Sequence, residues 1–244
     1  MAFFGPEFYD QQQVFETYTK HRDDPAAPNN TLEGPLVRSL LGGVGGHDFL
    51  DLGCGAAAFG RELLADGAAS YLGVDGSQNM VRLAWQTLRG TTGRVVSANL
   101  SDWDFPLAAY SRVCARLVLH YVPELEPLLR RIHQSLHPDG LLVFSVEHPV
   151  ITSCDRAWKG QGLRQEWTVD DYFKTGARST YWIDSRVIKY HRTVEDHFLA
   201  LQACGFTVEA LRESRPVREN FLTDEDFERR QRIPLFLVMA ARKR

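Results

Sequence analysis

The stretch that decides the fold is residues 49–60, which read FLDLGCGAAAFG. A short apolar run leads into a glycine turn, and the alanine-rich segment after it is typical of a helix start. Gly53 and Gly55 permit a tight turn and a close approach of the backbone to a ligand. With Ala58 in the third position, the spacing also satisfies the GxGxxG/A pattern of nucleotide-binding turns. The stretch therefore predicts a strand, a ligand-binding turn and a helix.

Outward from this turn, predicted strands and helices alternate. The predicted strands are 48–52, 71–74, 95–98, 112–119, 141–146, 206–211 and 235–240. The predicted helices between and after them are 61–65, 80–88, 125–136 and 194–203, and Ser77 is the predicted N-cap of the second. HPDG at 137–140 predicts a turn. This alternation predicts an α/β fold. We expect a Rossmann-like, doubly wound and mostly parallel seven-stranded sheet with helices on both faces.

Two segments flank the alternating region. Residues 1–45 carry few strand signals and predict a helical lid with helices at 11–20 and 36–41. Residues 149–190, after the fifth strand, are rich in Trp and Tyr and include Trp158. That insertion is predicted to be a cap on the core, a wall of the substrate pocket, or both. We expect one domain with a lid (1–45), a cofactor-binding core (46–148), an insertion (149–190) and C-terminal elements that complete the sheet (191–244).

Composition narrows the classes of protein. The chain has 244 residues, of which 44% are hydrophobic and 24% charged, as in ordinary globular domains. Its net charge of -3 disfavours a dedicated nucleic-acid binder, since phosphate neutralisation needs a basic surface. No apolar run is long enough to span a bilayer, and no secretory signal is recognisable, so we expect a cytoplasmic protein. The four scattered cysteines predict neither disulfides nor a metal site.

Two acidic residues suggest the ligand. Asp75 ends the second strand about 20 residues after the glycine turn, where a carboxylate accepts hydrogen bonds from ribose hydroxyls. A nicotinamide dinucleotide and other adenosine ligands both fit this pattern. Asp51, at the mouth of the first strand, would repel a pyrophosphate but attract an ammonium and a sulfonium. It favours S-adenosylmethionine, although a structural role in capping the turn is the alternative.

Several ordered motifs resemble one family. Residues 51–55, DLGCG, resemble motif I of the class I S-adenosylmethionine-dependent methyltransferases, and residues 73–80, GVDGSQNM, resemble their second motif. Residues 97–102 occupy the position of the family's third motif. Residues 112–117 correspond to the fourth strand and its exit, and HPDG at 137–140 matches a turn that usually reads Pro-Gly-Gly. Segments of the second half, such as FSVEHPV at 144–150, resemble a bacterial methyltransferase type 11-like subgroup.

The resemblance implies S-adenosylmethionine as cofactor, with S-adenosylhomocysteine as its product, and assigns binding residues. These are Tyr18, Asp51, Gly53, Cys54, Gly55, Asp75, Gly76, Ser77, Met80, Asn99, Leu100, Ser101, Ala115 and Arg116. In this assignment Asp75 binds the ribose, Met80 lies near the adenine, and Tyr18 reaches the methionine carboxylate from the lid. Asn99 stands where the family usually has an acid that contacts the adenine amino group.

The residues that follow the fifth strand are the predicted catalytic candidates. A general base is needed only where the methyl acceptor keeps its proton near neutral pH. Glu147 and His148 lie at the strand exit, where open α/β sheets bind ligands, and His191 is a third candidate. His120 and Tyr121 follow the fourth strand and are expected to line the same cleft. The alternative is structural: Glu147 and His148 tie the insertion to the sheet, and His191 and Arg192 pair with Glu147.

The sequence therefore predicts a methyltransferase that transfers a methyl group by in-line displacement to a small-molecule acceptor. An RNA or protein methyltransferase is a weaker alternative because of the acidic charge and the lack of a basic tail. A cofactor-binding regulatory protein without catalysis is another, since methyl transfer needs no signature nucleophile. Asp51 disfavours an NAD-dependent oxidoreductase. The acceptor, the methylated atom and the oligomeric state, monomer or homodimer, are left open.

Overall fold

The computed structural model describes residues 2–154, 166–183 and 185–244. Its strands are β1 (Ala2–Phe4), β2 (Asp48–Leu52), β3 (Ser70–Asp75), β4 (Arg94–Ser97), β5 (Tyr110–Arg116), β6 (Leu136–Glu147), β7 (Gly176–Trp182), β8 (Ser185–His191), β9 (Phe206–Glu213) and β10 (Phe236–Lys243). Its α-helices are α1 (Gly5–Tyr9), α2 (Gln12–Asp23), α3 (Gly34–Leu41), α4 (Ala58–Ala65), α5 (Gln78–Thr87), α6 (Leu125–Ser135), α7 (Pro149–Thr152), α8 (Val194–Ala203) and α9 (Asp224–Gln231).

Seven of the described strands form the central sheet, in the order β4-β3-β2-β5-β6-β10-β9. The first five are parallel neighbours, and β10 runs antiparallel to both β6 and β9. This confirms the predicted doubly wound, mostly parallel sheet. The strand order reverses between β2 and β5, and ligands of such sheets bind at the carboxyl ends of the strands at this switch point.

The central strands β2 and β5 are buried on both faces of the sheet, and for this reason their sequences are nearly continuous apolar runs. Leu50 and Leu52 pack into one core cluster together with α6, whereas Phe49 faces the opposite cluster. This alternation follows the two-residue period of a strand. Burying each such side chain stabilises the fold by about 1.5–3 kcal/mol. The rigid centre of the sheet therefore fixes the turn that follows Leu52.

A second, three-stranded sheet joins the N-terminus to the insertion. Its order is β1-β8-β7, with β1 parallel to β8 and β7 antiparallel to β8. Phe3 lies opposite Val187 in this register. The sequence predicted no strand here, because β1 is too short to show a period and β7 and β8 lie in the aromatic-rich insertion, which has little periodicity. Trp158 of the predicted insertion lies outside the described residues.

Two local features, the start of α5 and an irregularity within β6, lie where the sequence shows a cap and a turn signal. The Ser77 hydroxyl accepts a hydrogen bond of 3.2 Å from the Met80 amide, so it caps α5 as predicted. Residues 137–140, predicted to form a separate turn, lie instead within the bounds of β6, where they interrupt its pairing with β5 between Leu136 and Leu141. Asp139 there has a φ of 59°, and the pairing with β5 shifts in register.

The described helices include none with the length and apolar character that crossing a membrane requires.

Candidate active site

The glycine turn lies at the switch point of the sheet. Gly53 has a φ of 66° and Gly55 a φ of 55°, both in the left-handed region that favours glycine. A Cβ on Gly53 would lie 2.6 Å from Cγ2 of Val118, whereas one on Gly55 would meet nothing within 4 Å. The turn is therefore packed tightly against the loop after β5 on one side and leaves free space on the other.

Asp75 at the end of β3 is oriented by the backbone. Its Oδ2 accepts a hydrogen bond of 2.8 Å from the Gly55 amide and its Oδ1 one of 2.9 Å from the Ser77 amide. Burial raises the pKa of Asp75 to about 6, although both amides favour the charged form. Each oxygen keeps a second lone pair for a ligand. The carboxylate is thus a fixed, pre-oriented acceptor.

Two cavities meet at the glycine turn. The first has a volume of about 280 Å³ and the second about 680 Å³. Most of the predicted cofactor residues line the first: Tyr18, Gly53, Gly55, Asp75, Gly76, Met80, Asn99, Leu100, Ser101 and Arg116. Asp51 and Cys54 line the second. Of the remaining two, Ser77 caps α5 and Ala115 is buried within β5, and neither is among the residues that line these cavities.

Asp51 lies in the wall of the second cavity and is almost fully buried. Its Oδ2 accepts a hydrogen bond of 2.8 Å from the Tyr71 hydroxyl, and its Oδ1 one of 3.3 Å from the Cys114 thiol. Burial raises the pKa of Asp51, against the effect of these two donors. Tyr71 and Cys114 gave no functional signal in the sequence, because each reads as an ordinary core residue of its strand.

An ion pair between Glu33 and Arg116 lies between the two cavities. Arg116 Nη2 is 2.5 Å from Glu33 Oε2 and its Nε donates to Oε1 at 3.1 Å. The Ser145 hydroxyl donates to the same Oε1 at 2.6 Å. Burial alone would raise the pKa of the fully buried Glu33, but the charge and hydrogen bonds of Arg116 outweigh it and lower that pKa. The charge of Arg116 is therefore neutralised within the wall.

The N-terminal segment covers the Asp75 end of the first cavity. The Ser77 hydroxyl donates to Asp10 Oδ1 at 2.7 Å, and the Asn79 amide donates to the same oxygen at 3.1 Å. A Cβ on Gly76 would lie 2.5 Å from Cγ of Pro6, so α1 packs directly on this glycine. The sequence did not indicate these contacts, which join residues far apart in the chain.

Four tyrosines line the first cavity, and three of them, Tyr9 of α1, Tyr18 of α2 and Tyr121, form one cluster beneath the N-terminal segment. The hydroxyls of Tyr9 and Tyr121 form a hydrogen bond of 2.9 Å, and the rings of Tyr9 and Tyr18 are 4.8 Å apart in an edge-on arrangement. Burial raises the pKa of the hydroxyls of Tyr9, Tyr18 and Tyr121, and that of Tyr9 lies well above its ordinary value. All three are therefore neutral near neutral pH.

Glu147 pairs with a buried lysine behind these tyrosines. Lys189 Nζ is 2.6 Å from Glu147 Oε1 and 5.8 Å from the ring centre of Tyr121. Burial alone would raise the pKa of Glu147, but Lys189 and His120 lower it overall. The predicted pairing of Glu147 with His191 and Arg192 is wrong, since Lys189 holds the carboxylate and Arg192 donates to backbone carbonyl oxygens instead. His120, predicted to line the cleft, is buried behind it, and burial lowers its pKa to about 3.

The two histidine candidates are tied to the scaffold through both ring nitrogens. His148 Nδ1 accepts from the Val150 amide at 3.2 Å, and its Nε2 contacts Glu213 Oε1 at 3.1 Å. His191 Nδ1 contacts the Thr152 hydroxyl at 2.7 Å, and its Nε2 lies 2.8 Å from the carbonyl oxygen of Tyr172. Neither histidine lines the first or second cavity, and Glu147 lines neither as well. Their arrangement favours the structural alternative.

The geometry of the two cavities fits an extended adenosine ligand. Asp75 offers lone pairs to a diol, Met80 and Leu100 offer apolar contacts, and the open side of Gly55 leaves room for the chain between them. A family model described as a methyltransferase domain matches residues 50–144. The crystal structure of an S-adenosylmethionine-dependent methyltransferase from Mesorhizobium loti has a TM-score of 0.81 and 32% sequence identity, covering 91% of this chain and 100% of that one.

The chain belongs to the class I S-adenosylmethionine-dependent methyltransferases. An uncharacterized protein of Haemophilus influenzae is 29% identical to this methyltransferase over 243 residues, 95% of each chain. The same fold occurs in magnesium protoporphyrin IX methyltransferase from Synechocystis with bound S-adenosylhomocysteine, at a TM-score of 0.67 and 17% identity, covering 98% of this chain and 97% of that one. S-adenosylmethionine is accordingly the cofactor of this methyltransferase.

Proposed function

We propose that this methyltransferase acts on a small molecule bound in the first cavity beside Tyr9, Tyr18 and Tyr121. The observation that carries the proposal is the cover formed by the N-terminal segment. Phe4, Gly5, Pro6 and Tyr9 all line the cavity, whose volume is only about 280 Å³. An acceptor under this cover has to be small, since the cofactor occupies part of the same space.

The proposed cofactor site follows from the fixed polar groups. Asp75 binds the ribose hydroxyls, and Met80, Asn99 and Leu100 contact the adenine. S-adenosylmethionine supplies a methyl group that its sulfonium has already activated. The methionine end extends past the glycine turn into the second cavity, where the carboxylate of Asp51 attracts its ammonium group.

The residues around the acceptor act by positioning and by excluding water. The rings of Tyr9, Tyr18 and Tyr121 narrow the cavity, and β1 and α1 close it from the side of the N-terminus. Holding two reactants in a near-attack geometry accelerates a displacement without a protein nucleophile. Exclusion of water prevents hydrolysis of the activated methyl group.

The cover and the charge both disfavour a macromolecular acceptor. A protein or RNA segment would have to displace the pairing of β1 with β8 in order to reach the cavity. The net charge of -3 gives no general attraction for phosphate groups. Methylated RNA and methylated protein are therefore the outcomes that would contradict the proposal.

The test follows the methyl group. The protein is incubated with methyl-tritiated S-adenosylmethionine and a bacterial extract, and the products are separated by ultrafiltration. We expect enzyme-dependent label in the filtrate of small molecules. Asp75→Ala is the negative variant, and Glu195→Gln, which changes an exposed acid of α8 outside both cavities, is the positive one. Label that is confined to the retained RNA or protein would refute the small-molecule assignment.

A further inference from the structure

We infer that the hydroxyl pair of Tyr9 and Tyr121 binds the acceptor atom, and that this atom is the nitrogen of a neutral amine. The inference rests on the proposed function and adds the chemical class of the acceptor. Three observations support it: the geometry of the hydroxyl pair, the charges that line the cavity and the aromatic character of its walls.

The first observation is the hydrogen bond of 2.9 Å between the two hydroxyls. Within the pair, one hydroxyl donates and the other accepts, so one O–H and several lone pairs remain for a ligand. An amine donates its N–H to such a lone pair and keeps its own lone pair free for attack. Both tyrosines line the cavity that contains Asp75 and the glycine turn, so the pair faces the space shared with the cofactor.

The second observation is the charge of the walls. Among the described residues that line the first cavity, only Asp75 and Arg116 carry charge, and Arg116 is neutralised by Glu33. Lys189, behind Tyr121, is paired with Glu147. The balance around the cavity is therefore negative. This negative balance stabilises the positive charge that the reactants carry before and after methyl transfer. It also repels an anionic acceptor such as a carboxylate.

The third observation is the wall of aromatic rings. Tyr9 and Tyr121 meet at 6.0 Å between ring centres, and Tyr9 and Tyr18 at 4.8 Å. Ring faces attract cations, and the attraction grows where water is excluded. Burial of the site also favours the uncharged form of an incoming amine, which is the nucleophilic form.

Methyl transfer to an amine balances without a protein base. The nitrogen lone pair forms the new C–N bond, and the C–S bond breaks with its electron pair remaining on sulfur. The positive charge thereby passes from sulfur to nitrogen, and the methylammonium product loses its proton to solvent after release. A hydroxyl acceptor would need a base, whereas burial keeps the neighbouring phenols protonated.

The test uses a cofactor analogue and needs no acceptor. Sinefungin carries an amino group in place of the methylsulfonium unit, whereas S-adenosylhomocysteine carries an uncharged thioether. Calorimetry gives the affinities of both for the wild type, Tyr121→Phe, Tyr9→Phe and the double variant. We expect each single variant to weaken sinefungin binding about tenfold, the usual effect of losing a hydrogen bond to a charged group. The affinity for S-adenosylhomocysteine should stay within about twofold of the wild type.

Tyr110→Phe is the matched control. It removes the same hydroxyl from a buried tyrosine of β5 that lines neither cavity, so both affinities should be unchanged. Equal losses for both ligands in Tyr121→Phe would overturn the inference, because they would show a general defect of the site. Unchanged sinefungin affinity in the double variant would overturn it as well.

A product assay separates this inference from the proposed function. The labelled small molecule should bind a cation exchanger in acid and release no volatile label in base. Base-labile label indicates a methyl ester, and label that stays neutral in acid indicates an ether. Either product would overturn the amine assignment and leave the small-molecule function standing, whereas label on RNA or protein would overturn the function itself.

Discussion

The pKa of Asp75 predicts how cofactor affinity depends on pH. Burial raises this pKa to about 6. The ribose hydroxyls bind as hydrogen-bond donors, so the ionised carboxylate is the form that binds best. Affinity should therefore be full above the pKa and fall as the pH drops below it.

The size of the effect follows from the ionised fraction. At about pH 5, one unit below the pKa, roughly one carboxylate in eleven is ionised, so S-adenosylhomocysteine should bind about tenfold more weakly than at about pH 8. Each further unit of acid should cost about another tenfold, until the protein itself unfolds. The plot of log affinity against pH should thus bend near pH 6.

Calorimetric titration with S-adenosylhomocysteine across this pH range gives the profile. Asp75→Asn should bind more weakly at about pH 8, because it retains only one acceptor oxygen, and its profile should be flat. Glu195→Gln, which changes an exposed acid of α8 outside both cavities, should retain the wild-type bend. A bend that persists in Asp75→Asn would refute the assignment of the titrating group, and a flat wild-type profile would refute the ribose contact.

Three further substitutions test the scaffold of the site. Gly53→Ala forces a side chain into a φ of 66°; chemical denaturation should show a loss of about 1–3 kcal/mol, and an unchanged midpoint would speak against the strained turn. Asp10→Ala removes the acceptor of the Ser77 hydroxyl, which should cost about 1 kcal/mol and speed the release of S-adenosylhomocysteine in stopped-flow experiments; an unchanged release rate would show that the cover does not gate the site. Lys189→Met leaves the partly buried Glu147 without its partner and should cost about 3 kcal/mol in urea melts. Adding Glu147→Gln should restore part of that loss, and no recovery would contradict the charge explanation.

The fold was predictable because its signals are local. The apolar run before Gly53, the alternation of strand and helix, and the Ser77 cap are all readable within about ten residues. The same holds for the placement of Asp75, since residues that end neighbouring parallel strands meet at one edge of the sheet. Strand and helix periods encode such features directly.

The remainder of the site depends on contacts between distant segments. Glu33 meets Arg116 across 83 positions, and Tyr9 meets Tyr121 across 112. No spacing in a single sequence encodes such pairs, because they arise only when the N-terminal segment packs over the sheet. His148 is a case in which a local signal misleads. Its position at a strand exit indicated a general base, but its ring contacts Glu213.

The most direct test of the assigned cofactor site is a crystal structure of this methyltransferase with S-adenosylhomocysteine. We expect the ribose hydroxyls within hydrogen-bond distance of Asp75, the homocysteine ammonium on the side of Asp51, and the sulfur facing the hydroxyls of Tyr9 and Tyr121. A ligand bound with its ribose away from Asp75, or with its sulfur directed away from the tyrosines, would contradict both the cofactor assignment and the acceptor site built on it.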